Sequence, residues 1–102
     1  MPKAYVEIRT LPGWQGSVVR DLERMKSGSA GSSIRDSDVI FGDYDLMVVV
    51  ENEDRKVFHK TVGDISRLNG VSSTNSRVVL DKEDVEESLG SKLRPHKLYG
   101  AP

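Results

Sequence analysis

The residues with most chemistry to offer sit together in Phe41-Gly42-Asp43-Tyr44-Asp45. This short stretch holds a glycine, two carboxylates and a phenol. Further on, Thr74-Asn75-Ser76 adds small hydrogen-bonding side chains. Recognition of a free amino acid needs an acceptor for its ammonium and several donors for its carboxylate. Asp45 suits the first task; N–H groups near Gly42, with the Thr74 and Ser76 hydroxyls, suit the second. The same residues also make a plain polar hairpin in which Asp43 satisfies its own turn. Spacing alone does not choose between the two.

Other constellations are thin. The chain has two histidines and no cysteine, which removes disulfides and thiolate chemistry. His59 and His96 are far from helical i, i+4 spacing, so no metal site is expected. The Ser27–Ser33 segment has two glycines but lacks the Gly-Lys-Ser/Thr ending of a phosphate-binding loop. Trp14 after Pro12-Gly13 reads as a packing anchor. No catalytic residue and no cofactor are expected.

These residues must be positioned by a small scaffold. Ala4 to Thr10 alternates strictly and predicts a strand. After Pro12-Gly13, Trp14, Val18, Leu22 and Met25 form a helical stripe that ends near Ser27. Ile34 to Phe41 reads as a second strand, and Tyr44 to Glu51 as a third. A two-residue Gly42-Asp43 loop of type II′ is expected between them. Asn52 is expected to cap a second helix whose stripe runs from Val57 to Leu68, stopped by Asn69-Gly70. Val71 to Leu80 completes a β-α-β-β-α-β order. The fold class is therefore α+β, a ferredoxin-like sandwich with a four-stranded antiparallel sheet and two helices on one face.

The 102 residues make one domain, taken as residues 1–80, with a charged C-terminal tail over 81–102. Within the tail, residues 81–90 are spaced for a short helix. Eleven acidic and eleven basic residues leave the body neutral. A chain that grips phosphates shows a basic excess, so direct nucleic-acid binding is not expected. No apolar run approaches the ~20 residues of a membrane span. With no signal-peptide core at the N-terminus and no cysteine, a cytoplasmic location is expected.

The third strand bears on assembly. Leu46, Val48 and Val50 take one face, which leaves Met47 and Val49 on the other. A half-solvated antiparallel sheet alternates apolar with polar, and this strand does not. A second copy of the chain is the simplest cover, so Met47 and Val49 are expected at a dimer interface.

Residues Ala4 to Leu80 resemble the effector-binding (RAM) domain of the Lrp/AsnC, or feast/famine, transcription regulators. The likeness rests on Ala4-Tyr5-Val6-Glu7-Ile8 with Pro12-Gly13, on Phe41-Gly42-Asp43-Tyr44-Asp45-Leu46, and on Gly70-Val71, Thr74-Asn75-Ser76 and Val78-Val79-Leu80. The Gly-x-Tyr-Asp hairpin is its most specific part. The resemblance implies a sheet-to-sheet dimer that assembles further, and an amino-acid effector bound between dimers. Gly42, Asp43, Tyr44, Asp45, Thr74 and Ser76 are the residues it places at the ligand. The family's regulators carry an N-terminal helix-turn-helix, for which there is no space before Ala4; stand-alone effector domains are the nearer likeness. Ser76 stands where the family has a second threonine, and the Met25–Ile34 connection is longer than usual.

The expected function is non-enzymatic: binding of an amino acid or related metabolite, with homo-oligomerisation, modulating transcription through a DNA-binding relative. The alternatives are a small dimeric enzyme of monooxygenase or isomerase type and a purely structural oligomerisation module.

Overall fold

The structure is a computed structural model that describes residues 2–28 and 32–80. Its elements are β1 (Lys3–Thr10), α1 (Gln15–Ser27), β2 (Ile34–Val39), β3 (Leu46–Glu51), α2 (Arg55–Ser66) and β4 (Val71–Val79). The sheet order is β2-β3-β1-β4, and every neighbouring pair is antiparallel. Each helix crosses from one strand to another that lies two places away. This is the expected α+β ferredoxin-like architecture.

Alternation along the strands builds the core. Ala4, Val6 and Ile8 of β1 and Leu46, Val48 and Val50 of β3 are all buried on one face. Val18 and Leu22 of α1, with Phe58 and Ile65 of α2, close over them. Burial of the Val, Leu, Ile and Phe side chains among them contributes roughly 1.5–3 kcal/mol each. Glu7, Met47 and Val49 occupy the opposite face and are half-buried.

Local chemistry sets the element ends, not always where the sequence suggests. The N-cap of α2 is Asp54, not Asn52: Asp54 Oδ1 accepts from the N–H groups of Lys56 (2.9 Å) and Val57 (3.3 Å). Asn52 lies two residues earlier, where its amide donates to Ser33 Oγ (2.9 Å) and ties the start of β2 to the end of β3. Its Oδ1 accepts from Asp54 N, which shapes the approach to the helix.

The β2–β3 loop also differs. β2 ends at Val39, and the last hairpin bond runs from Ile40 N to Asp45 O (2.9 Å). Residues 41–44 therefore form a four-residue loop in place of the two-residue turn. Phe41 is fully exposed, so no burial energy draws it into the sheet. Gly42 still takes a positive φ, +129°.

At the same end of the sheet, Leu11 N donates to Gly70 O (2.7 Å) and Trp14 covers Gly70. Trp14, read from its position as a packing anchor, lies against Gly70 but stays 43% exposed and outside the core cluster. The tail over 81–102, for which the spacing predicts a short helix over 81–90, lies outside the described residues.

Candidate functional site

The Gly42–Asp45 turn is held by the end of β1. Arg9 donates from Nε (2.9 Å) and Nη2 (2.6 Å) to the carbonyl oxygen of Asp43. Its guanidinium also lies 5.2 Å from the centre of the Tyr44 ring. Such a cation over an aromatic face contributes roughly 0.5–1 kcal/mol at an exposed site. Asp45 Oδ2 accepts from Thr10 N (2.8 Å) and Thr10 Oγ1 (3.2 Å). Asp45 N in turn donates to Ile8 O (2.9 Å). One strand end thus fixes the backbone of Asp43, the ring of Tyr44 and the carboxylate of Asp45.

A carboxylate has about four lone-pair positions, and Thr10 uses only Oδ2. Among the described residues no hydrogen bond reaches Asp45 Oδ1. The Asp43 side chain is exposed, and its main-chain oxygen, not its carboxylate, receives Arg9.

Thr74 and Ser76 are on the other flank of β1. Thr74 pairs with Ile8 and Ser76 with Val6, which puts both on the helix side of the sheet. Thr74 is half-buried and Ser76 exposed. Two inter-strand spacings, about 10 Å, separate β4 from β3. Within one chain no hydrogen bond among the described residues joins Thr74 or Ser76 to the turn. The fold brings Gly42, Asp43, Tyr44 and Asp45 together and leaves Thr74 and Ser76 apart from them.

Sequence reasoning missed Arg9 and Thr10. Their partners are more than thirty residues away in the chain, and no local pattern marks them. The only signal was the alternation of β1, which places its end beside the loop once β1 and β3 pair.

The open face of the sheet carries a second polar group. Glu7 Oε1 accepts from Arg77 Nε (2.9 Å) and Asn75 Nδ2 (3.0 Å). The Arg77 bond first, and the Asn75 bond after it, hold the Glu7 carboxyl below the usual glutamate range. Tyr5 lies beside Val49 by strand pairing, and Glu7 beside Met47. Half-buried apolar and paired polar residues thus share this face.

Among the described residues no cluster of three or more His, Cys, Asp or Glu side chains is arranged to hold a metal. No described helix is long and apolar enough to cross a membrane. His59 is exposed and packs edge-on against Phe58, 5.3 Å between ring centres.

Comparison with known proteins gives this geometry a family. A 39-residue stretch is 49% identical to the HTH-type transcriptional regulator LysM of Sulfurisphaera tokodaii; it is 38% of this chain and 28% of that protein. The crystal structure of FFRP-DM1 is similar at TM-score 0.67 and 22% identity, over 78% of this chain and 100% of that one. AsnC of E. coli is similar at TM-score 0.64 and 16% identity, over 79% of this chain and 52% of that one. The regulator NMB0573 of Neisseria meningitidis, solved as an L-Met complex, is similar at TM-score 0.60 and 16% identity, over 79% and 51%. The chain therefore spans about half the length of AsnC and NMB0573. The family model for the Lrp/AsnC ligand-binding domain matches residues 3–89, past the end of β4. The chain belongs to the Lrp/AsnC ligand-binding domain family and is a ligand-binding regulatory domain.

Proposed function

We propose that this domain senses an amino acid at the Gly42–Asp45 turn and acts on transcription as an assembly of several copies. The observation that carries this reading is the braced turn itself. Arg9 and Thr10 hold its backbone and one carboxylate oxygen, and the other Asp45 oxygen is left to take an ammonium. The family match supports the same choice, as does the neighbour solved with L-Met. Because β1 separates Thr74 and Ser76 from the turn, those hydroxyls meet the ligand from another copy. Met47 and Val49 lie at the sheet-to-sheet contact that joins two copies. The domain performs no catalysis, binds no nucleic acid directly, works in the cytoplasm, and reaches DNA through a DNA-binding relative. Residues 1–80 form the working domain and 81–102 a charged tail.

The experiment is a thermal-shift screen of the twenty amino acids, followed by calorimetry on three variants. A ligand that binds only the native state raises the melting temperature by mass action. Asp45→Asn keeps an acceptor for Thr10 N but loses the charge, so it should bind more than tenfold more weakly, with the fold intact. Asp45→Ala should lose both affinity and stability, because the Thr10 N–H is left without its partner. Asp43→Ala should change affinity little. Parent-like affinity in Asp45→Asn places the ligand elsewhere. A second reading, a structural module with no ligand, takes its support from the Thr10 bonds, which give Asp45 a purely architectural task. No shift with any amino acid would favour it.

A further inference from the structure

A cavity of about 320 Å³ opens on the helical side of the molecule, between the end of α1, the start of β2 and the outer face of α2. It lies at the opposite end of β2 from the Gly42 loop. Ile34 lines it and Val39 borders the loop, and five strand steps of about 3.3 Å separate the two by roughly 17 Å. A ligand held here does not touch the turn.

The lining is divided by chemistry. Met25, Ile34 and Val57 supply an apolar wall. Ser33, almost completely buried at 3% exposure, sits beside it. Its Oγ accepts from Asn52 Nδ2, which leaves the hydroxyl proton to donate. No acceptor for that proton is found among the described residues.

On the α2 side, Lys60 Nζ is 2.7 Å from Asp64 Oδ2, and Arg67 Nη2 is 2.8 Å from Asp64 Oδ1. Lys60 and Asp64 both line the groove; beyond its bond to Asp64, Lys60 keeps two N–H donors, while Arg67, outside the lining, engages the other Asp64 oxygen. The Lys60 bond first, then the Arg67 bond, hold the Asp64 carboxyl below the usual aspartate range, so it stays ionised and the three charges persist.

We infer that this groove is a second binding site, independent of the turn, for a small monocarboxylate with a short apolar chain. The carboxylate lies between Lys60 and the Ser33 hydroxyl, and the chain lies on Met25, Ile34 and Val57. The volume is at the lower end of the range for small-molecule pockets, about 300–1,000 Å³, which suits such a molecule. Lys60 and Arg67 already engage both Asp64 oxygens, and the wall beside them is apolar. An α-ammonium is desolvated there without a free partner, so plain carboxylic and 2-oxo acids bind better than the matching amino acid.

The test follows the methyl resonances of the full chain labelled at methionine. The three methionines are Met1, Met25 and Met47; Met25 lines the groove, and Met47, on the other face of the sheet, is the internal control. The probes are 4-methylpentanoate, 4-methyl-2-oxopentanoate, L-leucine and the neutral 4-methylpentanamide. The two acids should shift Met25 saturably without moving Met47, L-leucine more weakly, and the amide least of all. Val57 is 39% exposed, so Val57→Trp can fill the groove without opening the core and should abolish the shift. Lys60→Met should weaken binding about threefold to fivefold, the size expected for an exposed charge pair.

Absence of a saturable Met25 shift, survival of the shift in Val57→Trp, or equal binding of the amide would overturn the proposal. Asp45→Asn should leave the Met25 shift unchanged. If it removes the shift, this groove assignment fails and the reading of the turn stands. If the acids move Met25 while no amino acid responds to Asp45→Asn, the turn reading fails and this site stands.

Discussion

Replacing Gly70 by alanine separates two physical demands placed on the α2–β4 connection. Gly70 has φ +93°, where a side chain costs roughly 1–2 kcal/mol. A Cβ there would also lie 2.6 Å from Trp14 Cβ, 2.7 Å from Cε3 and 2.9 Å from Cδ2. Overpacking of this kind typically adds 1–3 kcal/mol, so Gly70→Ala should cost about 2–5 kcal/mol. Gly13 is the matched comparison: its φ is +84°, with nothing within 4 Å of the added carbon. Gly13→Ala should therefore cost only the backbone share, ~1–2 kcal/mol. Trp14→Ala removes the two ring contacts but keeps the Cβ, so in that background the Gly70→Ala cost should fall by at least ~1 kcal/mol. The assay is urea denaturation at one fixed protein concentration, because the proposed assembly would make the midpoint depend on concentration. Gly70→Ala no more costly than Gly13→Ala would show that Trp14 does not press on the glycine, and the account of this end of the sheet would fail. The point reaches the site, since Gly70 O holds Leu11 N next to Thr10, the partner of Asp45.

Met47→Asp or Val49→Asp should shift the sedimentation profile towards the 11.3 kDa single chain, whereas Lys56→Asp on exposed α2 should not; an unchanged profile refutes the sheet-face contact. Glu7 and Asp64 have lowered pKa values when folded, so their contribution is present above the ordinary carboxylate pKa and is lost as pH falls through the folded value. Denaturation midpoints should drop below about pH 4.3, the ordinary glutamate value, and Glu7→Gln should flatten that drop; an unaltered profile in Glu7→Gln refutes it. The chain alone should not retard duplex DNA in a gel-shift assay, because its charges balance over residues 1–80; tight, salt-sensitive binding would refute this.

Sequence alone determined the architecture because period and composition are local. Ala4, Val6 and Ile8 alternate, as do Leu46, Val48 and Val50, and each set can be buried only on one face of a sheet. The same alternation put Met47 and Val49 on the far face, and Gly42 marked the loop by its type. Competition between partners was invisible in the sequence. Asn52 and Asp54 are both good caps; in the fold Asp54 caps α2, while the Asn52 amide donates to Ser33, brought close by β2–β3 pairing, and its oxygen accepts from Asp54 N.

The site divides in the same way. Gly42 to Asp45 were legible because their chemistry is contiguous along the chain. Arg9 and Thr10 were not, because strand pairing alone sets them beside that turn. Tertiary structure also parted Thr74 and Ser76 from the turn, since the sheet order inserts β1 between β3 and β4. Likewise, the groove between α1 and α2 joins Met25, Ser33 and Lys60, which share no motif and meet only when both helices pack on one sheet face.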